Sequence, residues 1–288
     1  MSIEKINFFL NSSVKYKNKK LPLNQINESF LDNNDLIIIF ESNIKENEIN
    51  NFYDFILKNR IEEIRIFSNI KNKSKLFIRD FQNSYYLKGF LNNKIIKNVN
   101  DLLEFFIWYI DHHKFKNIYL FGSSMGGYGA SLYGKLLSLS NILNIKILTI
   151  STKTNLCRYI NHLEVLEQLK NKMKPGTKHI KCWWKEIKYE KNKFNNWLTK
   201  LLQINIWPYT DEIEYKYLDL LELYKIPSNN FYHENWCLSQ NIIDMFHINR
   251  LKDYTNVKTI EAGNKHNIIN NLIENNMLNE IIDNFLNN

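Results

Sequence analysis

The sequence predicts an α/β protein: a mostly parallel central sheet, helices on both faces, and a helical insertion between two of the strands. Three observations predict it. Apolar strand-like runs alternate with stretches of helical spacing from residue 35 to residue 150, the pattern of a parallel sheet covered on both sides. Five of the eight glycines in 288 residues fall between Gly122 and Gly134, so the backbone's unusual demands are concentrated in one place. From residue 152 to 224 the alternation stops and helix-like segments run on, before strand signals return. At 44% hydrophobic and 24% charged, the chain has enough apolar mass for a substantial core, which excludes wholesale disorder.

The elements follow in order. Asp35–Glu41 (DLIIIFE) reads as a buried strand, and Asn47–Ile61 as a helix through Ile49, Phe52, Phe55 and Ile56. Ile64–Phe67 and Leu76–Ile78 are strand candidates. Val99–His112 reads as a helix with Asn98 or Asn100 as its cap. Asn117–Phe121 (NIYLF) is a short buried strand, and Gly127–Leu139 places Ala130, Leu132, Tyr133, Leu136 and Leu137 at helical spacing. Ile145–Ile150 is another central strand. Beyond the insertion come strands at Asn230–Glu234 and Val257–Glu261, a helix at Met245–Lys252 and a terminal helix over Asn267–Phe285. The expected division is a core formed by residues 1–151 and 225–288, with residues 152–224 as the insertion.

The glycine-rich stretch carries the chemistry. Gly122-Ser123-Ser124-Met125-Gly126 fits G-x-S-x-G with a strand before it and a helix after it, the setting of a nucleophile elbow. The reason is steric. Ser124 would sit on a sharp turn with its hydroxyl clear of the sheet, and small residues two before and two after let strand and helix cross closely. The helix N-terminus beneath favours developing negative charge. The phosphate-binding patterns GxxxxGK[ST] and GxGxxG are not matched. A glycine-rich turn that merely packs tightly is the alternative.

With its elbow GSSMGGYGAS, the sequence resembles the α/β-hydrolase superfamily. Within it, the chain resembles bacterial serine-esterase-like proteins linked to surface polysaccharides, capsule O-acetyltransferases among them. LFIRDFQNSYYLKG (76–89), DMFHINRL (244–251) and EAGNKHN (261–267) carry that narrower resemblance. It implies an α/β-hydrolase fold with a helical lid over residues 152–224, and a Ser–acid–His triad in that chain order. His266 follows the last strand and precedes the terminal helix, so it is the expected base. Asp244, in a D-x-x-H-x-x-x-L pattern, is the expected acid, and Glu234 is the runner-up. His233 comes too early, and His247 reads as structural. For the oxyanion hole, the backbone N–H of Met125 and, by register after the strand ending at Phe40, that of Ser42 are expected.

An acyl-enzyme on Ser124 would pass its acyl group to water in an esterase, or to a sugar hydroxyl in an O-acetyltransferase. No cofactor is expected to be permanently bound, while acetyl-CoA fits as an acyl donor. Trp183, Trp184 and Trp197, set among lysines between Lys170 and Lys200, lean toward a carbohydrate substrate, since indole faces stack on sugar rings. The bland alternative packs those tryptophans inward. A small-molecule carboxylesterase or lipase, and a non-catalytic accessory protein of glycan export, are the competing readings.

The formal net charge of +8 is modest and comes with no nucleic-acid-binding motif, so no nucleic-acid partner is expected. Cys157, Cys182 and Cys237 form no CxxC pair, which excludes a zinc ribbon and a disulfide framework. No apolar run approaches the roughly 18 residues of a membrane span. The N-terminus lacks the long apolar region of a signal peptide, so a cytoplasmic location is expected. The sequence does not indicate an oligomeric state.

Overall fold

The computed structural model describes residues 14–21, 26–42, 67, 70–80, 82, 84–140, 142, 144–154, 156, 215–228, 230–239, 242–260, 269, 272, 273, 275 and 277–287. The helix expected at Asn47–Ile61 and most of the insertion lie outside them.

Among the described residues a small hairpin, β1 (Lys15–Tyr16) and β2 (Lys19–Lys20), precedes the main sheet. Its turn residues Lys17 and Asn18 both have positive φ, as a two-residue hairpin turn with the right-handed strand twist demands. The main sheet is built from β3 (Ile26–Ser29), β4 (Asp35–Phe40), β5 (Ser74–Ile78), β6 (Asn117–Ser123), β7 (Ile145–Ile150), β8 (Phe231–Leu238) and β9 (Asn256–Ile260). The strand order is β3-β5-β4-β6-β7-β8-β9. Only β3 runs antiparallel to its neighbour. The chain moves outward from β4 to β5 on one side, then from β6 through β9 on the other. The crevice between the carboxyl ends of β4 and β6 is therefore the switch point, where open α/β sheets place their ligands.

Helices cover both faces. On one face lie α1 (Val99–His113), α2 (Met125–Leu139), α3 (Tyr215–Leu218) and α4 (Leu220–Tyr224). Their apolar side chains merge with Leu36, Ile38, Phe40, Ile118 and Leu120 into one large core cluster. α5 (Ile242–Arg250) follows β8. On the opposite face, α6 (Met277–Asn287) packs Leu278, Ile281, Ile282 and Phe285 against Ile37, Ile39, Tyr119 and Phe121. The central strands are apolar on both faces because both are covered. Asn98 caps α1, accepting the Asp101 N–H at 2.9 Å, and Lys114 ends it in the left-handed conformation.

Several boundaries differ from those expected, each for a local reason. β8 continues past Glu234 to Leu238, because Asn235 and Trp236 pair with Thr149 and Ile150 of β7. The polar Asn235 is tolerated there because its Oδ1 accepts the Thr149 hydroxyl at 2.9 Å. Of the strand expected at Ile64–Phe67 only Phe67 is described, and it is helical. The terminal helix does not run unbroken from Asn267: Asn275 lies in a turn and α6 begins at Met277. Within the stretch expected to be the insertion, Leu218, Leu220, Leu223 and Tyr224 are buried in the main core cluster.

Candidate active site

The site forms where β6 turns into α2. Ser124 joins them with φ 51° and ψ −113°, a conformation that L side chains adopt only when the surroundings force it. The surroundings here do. Its N–H donates to Ile150 O of β7 at 2.9 Å, and its C=O accepts the Tyr128 N–H at 3.2 Å. The first bond ties the residue to the sheet and the second to the helix. The Ser124 side chain does not cap α2, and the residue is half-buried while its chain neighbours Ser123 and Met125 are buried.

The close crossing is visible at the two flanking glycines. A Cβ on Gly122 would stand 2.1 Å from Gly126 O, and a Cβ on Gly126 would stand 2.1 Å from Phe40 O. Neither position has room for any side chain, and in both cases the obstruction is backbone. The G-x-S-x-G spacing is thus accounted for atom by atom.

Met125 follows Ser124 at the first helical position, where a backbone N–H has no partner one turn earlier in the helix. Ser42 lies two residues beyond β4. Because Phe40 pairs with Gly122, the Glu41–Ser42 segment leaves β4 at the same carboxyl edge of the sheet at which β6 enters the elbow. The sheet therefore brings the Met125 and Ser42 segments to the same edge as the serine.

Asp244 is buried, at 2% exposure, in the first turn of α5. It lies beyond the carboxyl end of β8, on the active-site side of the sheet. The helix carrying it is stapled to the segment after β7. The Thr154 N–H donates to His247 Nδ1 at 3.1 Å, and the Thr154 hydroxyl donates to His247 O at 2.9 Å. His247 is thus engaged in holding α5 in place. Glu234 sits two residues earlier in β8 than Trp236, the partner of Ile150. Its carboxylate accepts Trp236 Nε1–H at 2.6 Å and the Tyr232 hydroxyl at 2.9 Å. Both partners belong to its own strand. His233 is fully buried between the Thr149 hydroxyl at 2.7 Å and the Tyr224 hydroxyl at 2.9 Å. Burial pulls its pKa down to about 3, so it stays neutral. His266, Trp183, Trp184 and Trp197 lie outside the described residues.

Two features at this edge were not assigned from sequence. One is a buried ion pair, Arg79 Nε to Glu41 Oε1 at 2.8 Å, with both side chains 2–3% exposed. The other is the loop after β5. Asp80 is fully buried and accepts the Tyr86 N–H at 2.8 Å, the Ser84 hydroxyl at 2.9 Å and the Gln82 N–H at 3.0 Å. Burial raises its pKa against those bonds. The signal was present in the charged pair Arg79-Asp80, which directly follows an apolar strand. Among the described residues no cluster of His, Cys, Asp and Glu could hold a metal ion. Nor is any described helix long and apolar enough to cross a membrane.

No protein-family profile and no curated protein matches the chain. Solved structures do. A candidate esterase from Staphylococcus aureus superposes with a TM-score of 0.54, over 96% of this chain and 83% of its own, at 7% identity. MenH from S. aureus aligns over 91% of this chain and 97% of its own, at 15% identity and a TM-score of 0.46. An arylesterase aligns over 86% and 74%, at 13% identity and a TM-score of 0.47. At such identities the likeness is one of fold. With the strand order and the strained serine between β6 and α2, the chain has the α/β-hydrolase fold.

Proposed function

We propose that this chain is a serine-nucleophile acyl-transfer enzyme acting on an ester, through an acyl-enzyme on Ser124. The observation that carries the reading is the backbone of Ser124, held at positive φ at the switch point with glycine-only contacts on either side. Strain of this kind clusters at functional sites.

In the proposed reaction Ser124 Oγ attacks the acyl carbonyl carbon as His266 takes its proton. The carbonyl π electrons move onto oxygen, and the N–H groups of Met125 and Ser42 receive that oxyanion. Collapse of the adduct expels the alcohol, which leaves with the proton that His266 returns. Water, or a second hydroxyl, then attacks the acyl-enzyme in the same way. Asp244 orients and stabilises the imidazolium. Each oxyanion donor contributes on the order of 3 kcal/mol to the transition state.

Carboxylic ester hydrolysis is the leading reading. Likeness in fold to the S. aureus candidate esterase supports it. A sugar hydroxyl of a surface polysaccharide as acceptor, with acetyl-CoA as donor, is the narrower proposal, supported by the sequence resemblance alone. Intact-protein mass spectrometry after exposure to acetyl-CoA or to a short-chain p-nitrophenyl ester tests both. A mass gain from either reagent that is lost in Ser124→Ala establishes the nucleophile. A gain from the ester alone, discharged by water and not by an acidic oligosaccharide, removes the transferase reading. No adduct from either removes the enzyme reading.

A further inference from the structure

We infer that Tyr86 is a positioning residue for the oxyanion hole: its hydroxyl holds the Glu41–Ser42 peptide, and so sets the direction of the Ser42 N–H. The inference deepens the acyl-transfer reading and rests on it.

The Tyr86 hydroxyl donates to the carbonyl oxygen of Glu41, with Ile78 O a second acceptor at 3.2 Å. The Glu41–Ser42 peptide is trans, so its C=O and N–H point in opposite directions from one rigid plane. A bond that fixes the Glu41 carbonyl toward the phenol therefore turns the Ser42 N–H to the other side. The Glu41 N–H is fixed too, donating to Ile78 O at 3.0 Å, and its carboxylate is held by Arg79. Glu41, which precedes the proposed second oxyanion donor, is thus anchored through its N–H, its carbonyl and its side chain.

Tyr86 is itself over-determined. Its φ is 64°, a conformation unusual for an aromatic residue. Asp80 takes its N–H, and the Tyr133 hydroxyl donates to its C=O at 2.7 Å. Burial keeps Tyr133 protonated, with its pKa well above the usual tyrosine value. The Tyr86 ring stands edge-on to Phe40 at 5.0 Å. It also lies over Gly129, where an added Cβ would meet Tyr86 Cδ2 at 2.6 Å. A buried phenol needs a partner for its hydroxyl, but it does not need this much restraint. Four separate contacts converge on placing one oxygen against the Glu41 carbonyl. Gly129, outside the G-x-S-x-G pattern, is explained by the room that the Tyr86 ring and, at 2.8 Å, Phe40 Cδ1 require.

Tyr86→Phe removes the hydroxyl and keeps the ring. With a short-chain p-nitrophenyl ester, kcat is expected to fall about 10- to 100-fold while KM stays within about twofold, since the loss appears only where the oxyanion develops. Affinity for a phenylboronic acid, which forms a tetrahedral anionic adduct on serine, should fall by a similar factor. Tyr224→Phe is the stability control. It deletes an equally buried hydroxyl, bonded to Ser131 O and His233, and should lower Tm without lowering kcat. Wild-type kcat in Tyr86→Phe, or equal kcat losses in both variants, overturns the inference. If Tyr86→Phe does not fold, Gly129→Ala displaces the ring and must show the same split between kcat and KM, or the inference falls. Ser124→Ala reports separately on the underlying reading: undiminished turnover there removes that reading and this one together, whereas lost turnover there with an unaffected Tyr86→Phe removes this one alone.

Discussion

Ser124 concentrates opposite demands on one residue. Its positive φ costs of the order of 1–3 kcal/mol, which a glycine would not pay. Ser124→Gly is therefore expected to raise Tm by a few degrees, read by thermal unfolding, while abolishing ester turnover. Ser124→Ala should remove turnover by about 10⁴-fold or more without the gain in Tm, since alanine keeps the strain. At Gly126 the obstruction is the Phe40 carbonyl rather than a movable side chain. Gly126→Ala should cost about 3 kcal/mol or more in a urea titration, because neither β4 nor α2 can yield without breaking its own bonds. Asp244→Asn should keep the fold and lower kcat by about 10³- to 10⁴-fold, the cost of misorienting a catalytic imidazole. The identities of Ser124, Met125 and Asp244 as candidates were legible in the sequence, because an elbow is a local pattern and an acid in a helix's first turn has a recognisable place. Tyr86 was not, because its partners Glu41 and Gly129 are distant in sequence.

At the scale of elements, the switch-point edge is built by β4, β5 and the loop after β5 together. Glu41 and Arg79 join the ends of β4 and β5 through an ion pair with almost no solvent. Removing one member of such a pair leaves the other charge buried and alone. Glu41→Gln is expected to destabilise by about 3–5 kcal/mol in chemical denaturation, far more than a surface pair would cost. Periodicity identified β4, β6, β7 and α1 to within a residue or two, since each is a strongly apolar strand or an amphipathic helix. It missed β3, which is short and polar (INES) and is a strand only because β5 offers it an edge. It cut β8 short at Glu234, where polar residues resemble a strand end until Thr149 supplies Asn235 with a partner. The helix α6 begins later than its apolar spacing suggested, after a turn at Asn275 that hydrophobic periodicity does not read.

Across the whole molecule, two apolar layers sandwich the sheet, and one histidine is trapped in the larger of them. His233 has a folded pKa of about 3, lowered by burial, against about 6.5 when the chain is unfolded. The unfolded state therefore binds the extra proton between those values. His233 contributes full stability above about pH 6.5, and the contribution is lost as pH falls toward 3. Its slope approaches one proton, about 1.4 kcal/mol per pH unit. Unfolding free energies measured from pH 7 to pH 5 should decline accordingly, and the decline should flatten in His233→Gln. Before any folding, composition, the alternation of strands and helices, and the glycine concentration determined the fold class and the place of the strained serine turn, because those signals are carried by neighbouring residues. Only the tertiary structure decided that the end of β4 meets the elbow through Phe40 and Gly126, that Glu234 bonds within its own strand, and that a phenol from a distant loop grips the Glu41 carbonyl. Those are relations between segments, and they exist only once sheet register and helix packing bring the segments together.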